Sequence, residues 1–453
     1  MLLRRAFTCA VISLFLIKLT KGQRRIVNGE KVQEDKRYMV YLVQAENSKQ
    51  AYKAWLCGGT LVTPLYIVTS AACVEDVVHM YAIAGYTKYV PAEQLNSDAC
   101  TKEKKKKVIY VCIPRAYTFA YPDVQKWANL DMAVAKVESP YDFNDESYKR
   151  VCSYIPNQIE ISYEKKYQQP GVDALVLGWG HKDKWRDTKD LGDHNSQDLL
   201  YGPVRIQDKE TCKSQYTGHY EQLHPIIDKY MICTMSHGNI DSKGELIEKN
   251  MNMTDGCVDA YGIRSERCMD VDEYDYYVID RRTNTGNGTA KNKTNGTSKN
   301  RKSNGTTTYN KGNRSRSARR FLSRKIGICQ NDHGGPLVTW IGSHEMLIGV
   351  ASVFRINSTT SECIGPYLFT STWCSSAFLH CIVTEKEDDN KNLTRRWEEC
   401  DRPLKEQGIT LSERDVSWMG HADGPADNEN IQLRPQLPLH SVSEYRRDDE
   451  ILN

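Results

Sequence analysis

Asn331-Asp332-His333-Gly334-Gly335-Pro336 is the stretch on which the reading of this chain turns. Four other blocks precede it in order. They are Gln23-Arg24-Arg25-Ile26-Val27-Asn28-Gly29, then Leu56-Cys57-Gly58-Gly59-Thr60-Leu61 followed by Val68-Thr69-Ser70-Ala71-Ala72-Cys73, then Asn129-Leu130-Asp131-Met132-Ala133-Val134, and Val176-Leu177-Gly178-Trp179-Gly180. Around them lie short strand-like runs, Tyr38 to Val43, Thr60 to Val62, Ile67 to Val68 and Ala174 to Leu177. Turn residues separate these runs, the pattern of an all-β sandwich or barrel. A length of 453 residues allows two or three domains, but all-β barrels well over 200 residues long fold as one unit, so no second core is required.

In order and spacing the five blocks resemble the motifs of the trypsin-like serine protease family, over about Ile26 to Thr384 without one long insert. The resemblance implies an all-β fold of two six-stranded antiparallel β-barrels with a C-terminal helix. It also implies an activation junction cut after Arg25, with Ile26 as the new amino terminus and Asp332 as its receiver. The catalytic positions become Ala72 for the general base, Asp131 for the orienting carboxylate and His333 for the nucleophile. At Ala72 and His333 the chain departs from the family, which has histidine and serine there. Acyl transfer needs a hydroxyl nucleophile, an imidazole to carry its proton and a carboxylate to orient that imidazole; only the carboxylate is present. Losing the serine or the base costs on the order of a millionfold in turnover, and losing both costs little more.

Other departures surround that centre. Asn331 stands where the family has glycine, and its side chain is expected to restrict the backbone that aims an N–H at an oxyanion. Gly327 occupies the base of the specificity pocket, which leaves no charge to meet lysine or arginine. At the entrance, Ser352-Val353-Phe354 ends in an aromatic where the family usually has glycine; Phe354 either plugs the slot or is an ordinary buried ring. Asp131 is expected to accept hydrogen bonds from amides near Ala71 and Ala72 and from the Ser352 hydroxyl. His333 is expected to lean into the space at Ala72 and bond Asp131.

The function implied is that of a catalytically inactive serine protease homologue acting by protein binding, as a cofactor, decoy or regulator of extracellular proteolysis. Active proteases, inhibitors or their substrates are the expected partners. One rival is a serine-type hydrolase with a displaced nucleophile such as Ser70 or Ser352; another makes the insert and tail the functional part and the barrels a scaffold. No His-x-x-x-His or Cys-x-x-Cys spacing supports a metal, and no glycine motif cradles a phosphate, so no cofactor is expected. A net charge of +3 argues against nucleic acid as the main partner. The basic runs Lys104 to Lys107 and Arg314 to Lys325 read as solvated loops or processing sites before polyanion sites.

Residues 1–22 combine Arg4 and Arg5 with an apolar run from Ala6 to Ile17, the form of a secretory signal, which leaves 23–25 as a pro-segment. No later stretch has the roughly 18 consecutive apolar residues of a membrane helix, so a secreted chain is expected. Fifteen cysteines become fourteen when Cys9 leaves with the signal, an even number suited to disulfides. The family frame implies Cys57 with Cys73, Cys212 with Cys233 and Cys329 with Cys363. Short separations suggest Cys100 with Cys112 and Cys257 with Cys268; resemblance to a family bridge suggests Cys152 with Cys374, leaving Cys381 for Cys400.

The insert, 235–325, carries an acidic, tyrosine-rich patch and then a stretch rich in Asn, Thr, Gly, Lys and Ser. Residues 281–325 cannot bury enough apolar surface to offset ordering entropy and are expected to be disordered. Asn252, Asn287, Asn292, Asn295, Asn304, Asn313, Asn357 and Asn392 each begin an Asn-x-Ser/Thr sequon, so a glycoprotein is expected. Arg316 to Arg320 suit a dibasic processing protease or are ordinary loop charge. The segment 385–453 has no apolar periodicity and is expected to be a flexible charged tail.

Overall fold

The computed structural model describes residues 26–27, 29–45, 54–118, 123–181, 184–186, 190, 192–247, 326–383 and 402–424. The signal 1–22, the pro-segment with Arg25, the stretch 281–325 with Arg316 to Arg320, Cys257, Cys268, Cys400 and every sequon but that of Asn357 lie outside the described residues.

Apolar and β-branched runs become strands wherever turn residues bracket them. The first set is β1 (Glu30–Lys31), β2 (Met39–Gln44), β3 (Leu56–Leu61), β4 (Tyr66–Thr69), β5 (Met80–Ala84), β6 (Lys106–Pro114) and β7 (Ala133–Val137). The second is β8 (Glu160–Ile161), β9 (Asp173–Gly178), β10 (Leu200–Ile206), β11 (Met231–His237), β12 (Pro336–Ile341), β13 (His344–Ile356) and β14 (Cys363–Ser371). Strands β6-β5-β2-β3-β4-β7 are neighbours in that order, and β6 pairs β7 to close a six-stranded antiparallel barrel. Strands β10-β11-β14-β13-β12-β9 do the same, closed by β9 on β10. Closure pairs the two end strands of each barrel with one another. Short β1 and β8 add to the outside of the second.

Two short helices continue from barrel strands, α1 (Ala71–Asp76) after β4 and α2 (Ser376–Val383) after β14. The second core gathers Val176, Leu200, Val204, Ile232, Leu337 and Phe369, all buried; each such side chain contributes about 1.5–3 kcal/mol on leaving water. Tyr41 of β2 meets Trp179 edge-on at 5.1 Å between the barrels.

The insert starts within β11, which runs to His237, and Ile240 bridges to Leu246. Two parts of the sequence reading need correction. The tail is not flexible throughout: residues 402–407 are helical, and β15 (Leu411–Asp415) pairs antiparallel with Pro114 to Tyr110 of β6. Strand β5 pairs only Lys106 and Lys107 of β6, and β15 takes up ladder groups further along that long strand. Charged side chains make Leu-Ser-Glu-Arg-Asp look like coil, but an outer strand of this kind needs only backbone pairing. Arg414 then ties it to α1 by bonding the Val74 carbonyl and Glu75.

The cysteines supply the second correction. Cys57–Cys73, Cys212–Cys233 and Cys329–Cys363 are bonded. Cys100, however, joins Cys152 rather than Cys112. Cys100 lies on the helix Ala99–Lys104 and Cys152 caps the helix Tyr148–Val151; the packing of these two helices brings their Cα atoms to 4.8 Å. Cys112 is buried in β6 and unbonded, as is half-buried Cys374, which removes the expected Cys152–Cys374 bridge. Burial pushes the Cys112 thiol up to about 12. Cys381 is disulfide-bonded.

Candidate functional site

The nucleophile-position turn hangs between the barrels by backbone hydrogen bonds. Gly58 of β3 donates to the His333 carbonyl at 2.7 Å, Gly334 donates to Ala351 of β13 at 3.0 Å and Ala351 donates back to Gly335 at 2.8 Å. Gly334 has φ +79°, and a Cβ there would lie 2.3 Å from Thr69 Oγ1 and 2.4 Å from the Gly58 carbonyl; only glycine fits the conformation and the space. Asn331 adopts φ 70°, a left-handed conformation that asparagine tolerates better than most residues. The expected restriction by its side chain is therefore corrected, since the asparagine takes up a glycine-like backbone here. Its Nδ2 donates to Asn195 Oδ1 at 2.7 Å and to the Ala54 carbonyl at 3.2 Å.

Asp131 sits buried at the end of the turn before β7, after Leu130 in a left-handed φ of 56°. Its Oδ1 accepts the Ser70 hydroxyl at 2.8 Å and the Ala72 amide at 2.9 Å, and its Oδ2 accepts the Ser352 hydroxyl at 2.6 Å. Burial raises this carboxyl, against the Ser352 hydroxyl, the nearby His333, the Ala72 amide and the Ser70 hydroxyl that lower it. Ser70 and Ser352 are themselves fully buried, with hydroxyls committed to Asp131. The role of Ser70 as a carboxylate donor was not legible in advance, because a serine before two alanines gives no sign of what it faces.

His333 does not make the expected hydrogen bond. No ring nitrogen bonds Asp131; Nδ1 is buried without a partner, and the ring lies 5.7 Å from that of Phe354. Burial lowers the imidazole, against the attraction of Asp131. Ala72 contributes a methyl group where proton transfer would need a base.

The specificity-pocket positions are filled, though chiefly by a residue the sequence reading passed over. A Cβ placed on Gly327 would meet the Tyr367 ring at 2.0 Å, so the buried Tyr367 of β14 occupies that base. Phe354 is half-buried beside it, packed on Val27, Cys329 and Cys363. Tyr367 carries no local mark of this role, since β14 places it there through pairing across the barrel.

Asp332 points away from the cleft. Its Oδ1 accepts the Gly180 amide at 2.9 Å and its Oδ2 the Cys329 amide at 3.0 Å. A Cβ on Gly178 would stand 2.3 Å from Oδ1, which gives the glycine-tryptophan-glycine block its physical reason. Burial pushes the Asp332 carboxyl up to about 7 despite the two amides. Ile26 is buried in the second core with Ile326 and Val176, and Val27 donates to the Gly327 carbonyl at 3.1 Å. The sequon residue Asn357 lies at a surface turn, its Oδ1 accepting the Thr359 and Thr360 amides.

Above the Ala72 and His333 positions a cleft of about 250 Å³ remains. Six rings line it, those of Trp55, Tyr117, Trp127, Trp185, Tyr220 and Phe354.

The double barrel and these positions define a chymotrypsin-type protease architecture. Residues 26–244 match the family model of trypsin, so this part of the chain is similar to the trypsin-like serine proteases. Ovochymase of Halocynthia roretzi is 27% identical over 191 residues, 41% of this chain and 10% of that protein; the chain thus spans about a tenth of the length of that curated relative. The crystal structure of the scabies mite inactivated protease paralogue S-D1 aligns with a TM-score of 0.42 and 18% identity, covering 80% of this chain and 98% of that chain.

Proposed function

We propose that this chain is a secreted, glycosylated and catalytically inactive serine protease homologue that acts by binding proteins of extracellular proteolysis, as cofactor, decoy or regulator. One observation carries the reading. Asp131 has its acceptor sites taken by Ser70, Ala72 and Ser352, while a methyl group and an imidazole without a hydrogen bond stand where base and nucleophile belong. No hydroxyl at the centre can be activated, and no imidazole is oriented to receive its proton. The filled pocket at Tyr367 further removes a slot for a substrate side chain.

The zymogen switch is retained in this reading. Cleavage after Arg25 places the Ile26 ammonium beside Asp332, neutralises a carboxylate that burial holds at about 7 and orders the loops around the closed pocket as a binding surface. The test is affinity capture with full-length protein, cut after Arg25 and uncut, read by mass spectrometry. A protease, an inhibitor or a protease substrate retained preferentially by the cut form is expected. Equal retention by both forms removes the switch, and turnover of peptide substrates by the cut form removes the inactive assignment.

A further inference from the structure

The aromatic cleft over Ala72 and His333 is unused by the protein-binding reading, and its chemistry is specific. Its six rings come from separated segments, among them the helix Val124–Ala128 with Trp127 and the 3-10 turn Gly218–Leu223 with Tyr220. Among the described residues no lysine or arginine lines it. The carboxylate of Asp76 on its wall accepts the Trp55 indole N–H at 2.6 Å. Ala72 widens it, because the methyl group leaves open the space a histidine ring would fill.

Size and polarity narrow the occupant. A cavity of about 150 Å³ lined by apolar side chains takes benzene, so 250 Å³ suits a molecule of roughly ten non-hydrogen atoms by the same scaling. Ring walls favour a flat aromatic occupant through stacked and edge-on contacts. The Asp76 carboxylate on the wall, with no lysine or arginine among the described lining residues, disfavours an anion. His333 lies half-buried on the wall, and among the described residues its Nδ1 has no hydrogen-bond partner; an imidazole so placed gains from a ligand hydroxyl, which can donate or accept.

We propose that this cleft is a binding site for a neutral aromatic molecule of one or two fused rings bearing a hydroxyl group. The rings of Trp127, Trp185 and Tyr220 hold the apolar body, and the His333 imidazole meets the hydroxyl. The site needs no protein partner and is present in the uncut chain, so its test on that form stands or falls separately from the function proposed above.

The experiment titrates full-length uncut protein with 2-naphthol by isothermal calorimetry, with naphthalene-2-sulfonate as the anionic control. Expected is saturable one-to-one binding of 2-naphthol, about tenfold or more tighter than the sulfonate. Ala72→Trp, which fills the cleft, should weaken it at least about tenfold, and His333→Phe should weaken 2-naphthol several-fold. If Ala72→Trp does not fold, Tyr220→Ala opens a wall and should weaken binding likewise. Absence of saturable heat up to the solubility limit, equal or tighter binding of the sulfonate, or 2-naphthol affinity unchanged in both cleft variants overturns the proposal.

Discussion

Two buried carboxylates near the turn at His333 have opposite surroundings. Asp131 is held by two hydroxyls and one amide, with Ser70 supplying one of the hydroxyls. Asp332 is held by two backbone amides, and burial leaves its carboxyl near 7. The first carboxylate is fully furnished with donors in the absence of a base. The second, in the function proposed above, awaits a positive partner delivered by a chain cut. If that proposal holds, loss of catalysis and retention of activation geometry are separable in this fold.

The largest test of that contrast is pH. The folded Asp332 pKa lies above its unfolded value, so its contribution is full below about pH 4 and is lost as pH rises towards 7. Urea unfolding of the uncut chain should show a loss on the order of 4 kcal/mol across that window; the form cut after Arg25 should lack most of it. A flat profile in the uncut form would mean that the carboxyl is already neutralised by a cation.

Asp131→Asn should cost about 3 kcal/mol by urea unfolding, because one amide oxygen replaces two carboxylate oxygens that accept three hydrogen bonds at full burial. Ser70→Ala should cost less, about 2 kcal/mol, since the Ala72 amide and Ser352 remain; a change under about 0.5 kcal/mol would return Ser70 to the status of an ordinary core serine. Smallest is Asn331→Val, expected to lower stability by about 1–2 kcal/mol because a β-branched residue resists the left-handed backbone. If thermal unfolding shows no loss in that variant, the turn at Asn331 does not hold its positive φ in solution.

The barrels were legible because their motifs combine local turn chemistry with fixed spacing. Gly178-Trp179-Gly180 and Asp332-His333-Gly334 each bear marks of the turn they form, and the missing base and nucleophile are read from single letters. What escaped depends on residues far apart in sequence. Tyr367 closes on Gly327 through strand pairing, Ser70 finds Asp131 across a barrel, and Cys100 meets Cys152 because two short helices pack together. Leu411 to Asp415 is too charged to read as a strand, yet β6 takes it up through backbone pairing. Asn331 was misread for another reason: one of the few residues that tolerate a glycine-like φ occupies that position.

Reaction with a fluorophosphonate is the most direct test of a protease fold kept without acyl-transfer chemistry. Full-length protein cut after Arg25 is incubated with the probe and its intact mass measured. An unchanged mass is expected, because Ser70 and Ser352 are buried on Asp131 and His333 offers no hydroxyl. A single stoichiometric adduct on any serine, abolished by Asp131→Asn, would contradict it.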